Sequence, residues 1–337
     1  MLLDIPDDFS EKLTEKYEYA LKNDFLVFNG IDAVVEIDHY SANSGQIQDD
    51  EKLKEIEEDL IDIEYTTFNP RKETVEPAHG TVDKNPFNKP EPELTIFEEF
   101  GGENEFKVVF NKFPLVPRHF MMVTNEFKPQ STPLSTNELV GVYSILSKLK
   151  STTSEETHSW LAFYNCGPQS GASQPHKHVQ FMTLPDKTKF TPFAENVAKK
   201  SGPFMPNDKE EPLQNESLPF AHFVAKLPDL KEMEADDLSM YFVSLLQRAL
   251  TVIKENEVVD HISYNVLMTT EYMMVVPRSH SKYNGSKFGV NSCGYAGLIL
   301  CREKEYLTLC KEVGPITILK ELGFPKQAAD HSEEFKY

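Results

Sequence analysis

The chain of 337 residues has only four cysteines and no C-x-x-C pair. Cys166, Cys293, Cys301 and Cys310 sit inside apolar segments, so buried free thiols are expected in preference to disulfides or a thiolate metal site. No apolar run approaches the roughly 18 residues that a membrane helix requires, and Asp4, Asp7 and Asp8 spoil a secretory reading of the first residues. A cytoplasmic chain, or one shared with the nucleus, is expected, with no membrane partner. Basic residues are scarce as well: net charge is −20, with 26 acids against 9 bases in residues 1–100 and 28 against 25 in residues 101–337. The acidity is local. It disfavours polynucleotide binding, while a small anion can still be held by a local pocket of donors.

What is present is an ordinary globular mixture, 39% hydrophobic and 26% charged. It is enough chain for one large domain or two moderate ones. Residues 1–25 carry a helical face (Leu13, Tyr17, Ala20, Leu21), and residues 26–39 alternate as a strand (Phe28, Val34, Val35, Ile37). Residues 41–62 are acid-rich and read as a solvated loop or surface helix. Residues 68–92 contain five prolines and no periodicity, which makes them a long connection. Strands are expected at 94–97, 106–111 and 120–124. Ser135-x-x-Glu138 is a capping box opening a helix to about Lys150, with Leu139, Val142, Tyr143, Leu146 and Leu149 inward. A strand at 160–165, a Gly/Ser loop at 166–175 and a strand at 175–184 follow.

The order recurs more weakly: a strand at 220–226, a helix at about 235–255 with Leu238, Phe242, Leu245, Ala249 and Ile253 inward, then strands at 262–268 and 272–276. Val276-Pro277-Arg278-Ser279-His280 echoes Val116-Pro117-Arg118-His119, which leaves duplication and coincidence both open. Residues 187–219, rich in Pro, Lys and Glu, read as a linker. The expected organisation is therefore an N-terminal catalytic region 1–186, the linker 187–219 and a C-terminal region 220–337. The class is α+β, an antiparallel sheet with flanking helices, two related halves being one reading of it. A last helix over 316–322 stops at Gly323 before Pro325.

One segment carries chemistry: Asn165-Cys166-Gly167-Pro168-Gln169-Ser170-Gly171-Ala172-Ser173-Gln174-Pro175-His176-Lys177-His178-Val179-Gln180. Period two places His176, His178 and Gln180 on one strand face, while Val179 and Phe181 point to a core. The loop before them lets backbone N–H groups approach an anion. For His39, His79, His158 and His222 the plain reading is a surface or hydrogen-bonded histidine. For the H-x-H pair three readings stand. Zinc ligation lacks a third ligand in register. A structural role leaves the loop without a purpose. Nucleophilic attack on phosphorus, with a neutral amide on the phosphoryl oxygens, uses loop, histidines and glutamine together.

Ser-Gly-Ala-Ser-Gln-Pro-His-Lys-His-Val-Gln closely resembles the active-site strand of the diadenosine tetraphosphate phosphorylases (ATP adenylyltransferases), the H-x-H-x-Q branch of the histidine-triad superfamily. Asn111-Lys112-Phe113, Val116-Pro117, His119-Phe120, Glu126-Phe127-Lys128 and Lys311-Glu312-Val313-Gly314-Pro315 extend the likeness over roughly residues 68–325. The resemblance implies a histidine-triad-like sheet, an ATP adenylyltransferase-like C-terminal region, and phosphorolysis of diadenosine tetraphosphate to ATP and ADP through an adenylyl-histidine. His178 would be the nucleophile, His176 would order the site and orient the His178 ring through its carbonyl, and Gln180 would hold the transferring group. Asn165, Gly171, Ala172, Ser173 and Gln174 would bind phosphates, Asn111, Lys112 and Asn291 would lie near nucleotide, and Arg71 or Lys72 would supply an N-terminal phosphate-binding base. The implied partners are a dinucleoside polyphosphate, inorganic phosphate, ATP and ADP, acted on by a monomer. Magnesium or another divalent ion would come with the polyphosphate, without a permanent protein-ligated metal. The alternatives are a nucleotide-sugar phosphorylase or uridylyltransferase and a catalytically silent nucleotide binder.

Overall fold

The computed structural model describes residues 3–27, 33–41, 45–47, 60–67, 85–152, 159–202, 212–228, 233–257 and 260–326. Its strands are β1 (Val34–Ser41), β2 (Gly45–Ile47), β3 (Leu60–Thr67), β4 (Thr95–Phe100), β5 (Phe106–Phe110), β6 (Phe120–Thr124), β7 (Trp160–Cys166), β8 (His178–Thr183), β9 (Phe223–Lys226), β10 (Tyr264–Met268), β11 (Tyr272–Pro277) and β12 (Leu298–Cys301). Its helices are α1 (Phe9–Lys22), α2 (Thr136–Thr152), α3 (Phe193–Lys200), α4 (Ala235–Glu255), α5 (Lys304–Val313) and α6 (Pro315–Leu322). The class is mixed α+β, as expected.

Eight strands form the main sheet in the order β4-β5-β6-β8-β7-β10-β11-β9, and each neighbouring pair runs antiparallel. Because successive side chains alternate, each strand feeds two cores. Val179, Phe181, Phe120, Tyr164 and Val266 go to one, closed by the inner faces of α1, α2 and α4. Phe181 stacks on Phe120 at 4.7 Å between ring centroids and 1° between planes. A stack of this kind adds about 1 kcal/mol to the roughly 2 kcal/mol from burying each ring. Leu161, Phe163, Leu267, Met274 and Val276 face the other way and meet α3, α6 and the small sheet.

The capping box before α2 is formed on both arms: the Ser135 N–H donates to Glu138 Oε2 at 2.7 Å, and the Glu138 N–H donates to Ser135 Oγ at 3.3 Å. The five inward residues expected for α2 and the five for α4 are all buried. All four cysteines are free and buried.

Several expectations change. Part of the acid-rich stretch 41–62 is strand rather than loop: β2 and the start of β3 lie in it, because Ile61, Ile63 and Tyr65 alternate with Asp62 and Glu64 and bury one face. Its residues 48–59, like residues 68–84 of the long connection, His79 and His158, lie outside the described residues. The small sheet, in the order β12-β3-β1-β2, contains the parallel pair β3/β12, so the fold is not antiparallel throughout. Within 187–219 stands α3, whose Phe193, Ala194 and Ala198 pack into the second core.

The two halves share connectivity. β6-α2-β7-β8 returns β8 beside β6, and β9-α4-β10-β11 returns β11 beside β9. They join where β7 pairs with β10, with Asn165 opposite Asn265. The Val-Pro-Arg strings are no part of this likeness, since one precedes β6 and the other ends β11 and continues past it.

Candidate active site

The strand β8 begins at His178 rather than at Pro175. Residues 175–177 leave β7 and bond the segment before α2 instead: the Lys177 N–H donates to the Lys128 carbonyl at 2.8 Å, and the Gln130 N–H to the Pro175 carbonyl at 2.8 Å. His178 and Gln180 share a face with their partners Val123 and Met121, while Val179 and Phe181 enter the helical core.

His178 is 3% exposed. Its Nδ1 lies 2.8 Å from the His176 carbonyl, which can only accept, so Nδ1 carries the proton and Nε2 the free lone pair. Burial pushes its pKa down to about 4, so the ring is neutral at physiological pH. His176 is held at both ends. Its Nε2 donates to the Thr124 carbonyl at 2.8 Å, and its Nδ1 accepts from the Asn85 amide at 3.0 Å. The Phe87 ring lies 5.0 Å from that of His178 and 6.0 Å from that of His176.

Gln180 has a partner that sequence reasoning missed. Buried His119, at the head of the apolar strand β6, accepts the Leu115 N–H on Nδ1 at 3.3 Å, so its Nε2–H donates to Gln180 Oε1 at 3.0 Å. Burial pushes the His119 pKa down to about 4 as well, which keeps this tautomer neutral. With its oxygen engaged by His119, the Gln180 amide presents its N–H side as the donor end. The available signal was a lone polar residue immediately before the apolar run 120–123.

The loop 167–177 is cradled from below. Gly167 and Gly171 adopt φ of +84° and +83°, and a Cβ on Gly171 would stand 2.8 Å from the Val290 carbonyl oxygen. Both positions therefore require glycine. Asn165 lies beneath the loop. Its Oδ1 accepts from Asn265 Nδ2 at 2.9 Å, the Ser292 N–H at 3.0 Å and Ser292 Oγ at 2.7 Å, so that oxygen is occupied in supporting the fold. Fully buried Arg278 reaches the Ser170 carbonyl at 3.2 Å, Asn265 Oδ1 at 2.6 Å, and the Val290, His280 and Leu322 carbonyls at 3.0, 2.9 and 3.1 Å.

Gly171 and Ala172 open onto a cavity of about 890 Å³, whose wall also includes Asn291, Lys282, Lys287 and Arg302. Ser173 is exposed and Gln174 half-buried at the lip of the loop. The Asn291 side chain caps the turn at Cys293 through a 3.0 Å bond. Asn111 holds the Phe113 N–H at 3.0 Å, and Lys112 is paired with Glu91 at 2.6 Å. Arg71 and Lys72 lie outside the described residues. Among the described residues no group of three or more His, Cys, Asp and Glu is placed to hold a metal ion, and no helix is long and apolar enough to cross a membrane. His222 is fully buried and hydrogen-bonded, and His39 lies 2.8 Å from Asp62.

A sheet-borne neutral histidine beside an anchored glutamine and a glycine loop is the constellation of a nucleotidyl-transfer protein with an H-x-H-x-Q strand. Comparison with known proteins narrows this. The family model for the Ap4A phosphorylase N-terminal domain matches residues 63–199, and that for the ATP adenylyltransferase C-terminal domain matches residues 216–325. The chain is 35% identical over 345 residues to diadenosine 5',5'''-P1,P4-tetraphosphate phosphorylase 2 of Saccharomyces cerevisiae, covering 99% of this chain and 100% of that one. It is 37% identical to protein APA1 of the same yeast, covering 75% of this chain and 80% of that one. The crystal structure of yeast Ap4A phosphorylase Apa2 in complex with Ap4A superimposes with a TM-score of 0.78 at 33% identity, covering 97% of this chain and 100% of that one. The chain belongs to the Ap4A phosphorylase family.

Proposed function

We infer that this chain phosphorolyses diadenosine tetraphosphate to ATP and ADP. The observation that carries the inference is the protonated Nδ1 of His178 on the His176 carbonyl, which leaves an unprotonated Nε2 on a buried ring beside a glycine loop. That nitrogen attacks the α-phosphorus of one adenylate and forms an N–P bond as the P–O bond to the polyphosphate breaks, so ATP departs. Gln180, held by His119, donates its amide N–H groups to the phosphoryl oxygens as charge shifts onto them. An oxygen of inorganic phosphate then attacks the adenylyl-histidine, the N–P bond breaks, ADP leaves and Nε2 regains its lone pair. Two in-line displacements retain configuration at phosphorus. The likeness to a yeast enzyme solved with Ap4A and with AMP supports the substrate class.

Gly171, Ala172, Ser173 and Gln174 carry phosphates on this proposal. Lys282, Lys287 and Arg302, against the single acid Glu303, give the cavity a net positive lining on an acidic protein, suited to a polyphosphate chain. A divalent ion would arrive bound to the polyphosphate as part of the substrate, since hard cations prefer its oxygens to His and Gln.

The test is incubation with diadenosine tetraphosphate and magnesium, with and without phosphate, products being separated by anion exchange, and His178→Asn as control. Equimolar ATP and ADP formed only with phosphate, and lost in the variant, is the expected result. AMP and ATP formed without phosphate would make the protein a hydrolase instead.

A further inference from the structure

The pairing of β7 with β8 ends at Phe163 opposite Gln180. Beyond it the strands separate to admit the glycine loop, and the His178 N–H, the His178 carbonyl and the Asn165 carbonyl lose their ladder partners. One side chain replaces them. Gln130, 5% exposed, accepts the His178 N–H on Oε1 at 2.8 Å and donates through Nε2 to the His178 carbonyl at 3.2 Å and the Asn165 carbonyl at 2.9 Å. Its amide stands where a peptide group of the ladder would otherwise be. Its main chain ties the neck of the loop: its N–H donates to the Pro175 carbonyl at 2.8 Å, and its carbonyl accepts from Tyr164 Oη at 2.8 Å and the Gly167 N–H at 3.4 Å.

We propose that Gln130 is a positioning residue for the nucleophile, fixing His178 against the phosphate loop by holding both main-chain groups of that residue. This rests on the nucleophilic role of His178 given above. A neutral amide is required, because only a group that accepts at one end and donates twice at the other matches the three partners. A carboxylate matches only the N–H and faces two carbonyl oxygens. A protonated carboxyl recovers one donor. Displacement of a reacting atom by about 1 Å can cost about a hundredfold in rate without altering the binding of distant groups.

The experiment follows ATP release on mixing with diadenosine tetraphosphate in the absence of phosphate, where adenylation of His178 gives a single burst. Wild type, Gln130→Glu and Gln130→Ala are compared between pH 6 and pH 8, each rate referred to the folded fraction measured by melting. At pH 8 the burst of Gln130→Glu is expected to slow about a hundredfold, with KM for the dinucleotide in steady-state phosphorolysis within about threefold of wild type. As pH falls to 6 and the introduced carboxyl takes up its proton, its burst recovers about tenfold, while the wild-type rate does not rise because His178 is already neutral. Gln130→Ala is expected to stay slow at both pH values. If Gln130→Glu does not fold at pH 8, Gln130→Met, which keeps length without hydrogen bonds, is expected to show the same hundredfold loss. Overturning results are a Gln130→Glu profile parallel to wild type, or folded Gln130→Ala or Gln130→Met within about threefold of the wild-type burst. Absence of a burst and of adenylyl-His178 in the wild type would sink the phosphorylase reading itself, a separate outcome.

Discussion

Replacing His222 by glutamine should remove a measurable share of the acid sensitivity of the fold. His222 is fully buried, accepts the Asn215 N–H on Nε2 at 2.8 Å and donates from Nδ1 to the Phe220 carbonyl at 2.8 Å. Burial pushes its pKa from 6.5 down to about 4. Between those values the unfolded chain binds a proton that the folded chain refuses, so the contribution to stability is complete above about pH 6.5 and is lost as pH falls toward 4. From pH 7 to pH 5 the unfolded imidazole becomes almost wholly protonated and the folded one hardly at all, a loss of about 2 kcal/mol at this one site. Glutamine in its place can keep the Asn215 bond and leaves the Phe220 carbonyl unpaired, at a cost that does not depend on pH and cancels between the two conditions. Urea unfolding at pH 7 and pH 5, followed through the single tryptophan, Trp160, buried at 8% exposure, gives the difference of differences. Wild type should lose about 2 kcal/mol more than His222→Gln. Equal losses, within about 0.5 kcal/mol, would refute the assignment of His222 as a neutral buried histidine.

Two further outcomes follow from the site. His119→Ala frees the Gln180 amide to turn its oxygen toward the phosphoryl group, so kcat for phosphorolysis should fall between about tenfold and a hundredfold with little change in KM. A kcat within twofold of wild type would dismiss the anchoring role. Lys177 and Glu138 form an ion pair at 2.6 Å with side chains 4% and 2% exposed. Lys177→Met leaves a buried carboxylate and should cost about 3–5 kcal/mol in urea unfolding, Lys177→Met with Glu138→Gln markedly less. A single-variant loss below about 1 kcal/mol would speak against a buried charge pair.

The parts of this protein legible in its sequence are those governed by local periodicity. α2 and α4 declare themselves through residues three and four apart, the capping box through Ser135 and Glu138, and β8 through alternation at His178, Val179, Gln180 and Phe181. β2 and β12, of three and four residues, are too short to show a period, and β12 exists because β3 offers a free edge far away in sequence. The partnerships of Gln130 and His119 escape for the same reason: each acts on a residue about fifty or sixty positions away, and although a polar residue ahead of an apolar run singles out His119, nothing local names its partner. The resemblance places Asn165 among the phosphate ligands, and nothing near it in sequence announces Asn265 and Ser292, which occupy its carbonyl oxygen.

The parallel pairing of Glu64 with Leu298 and the grip of Arg278 on Ser170 bear on how the chain is made. On the ribosome the histidine strand emerges while the arginine that steadies its loop is still unsynthesised, and β3 must wait longer still for β12. Pairings so distant in sequence close late and leave strand edges open meanwhile. A truncated product ending before Arg278 would carry the loop ahead of His178 without that support, and one ending before β12 would still leave β3 without its parallel partner, so incomplete chains should be prone to association and, on the proposed role of His178, inactive.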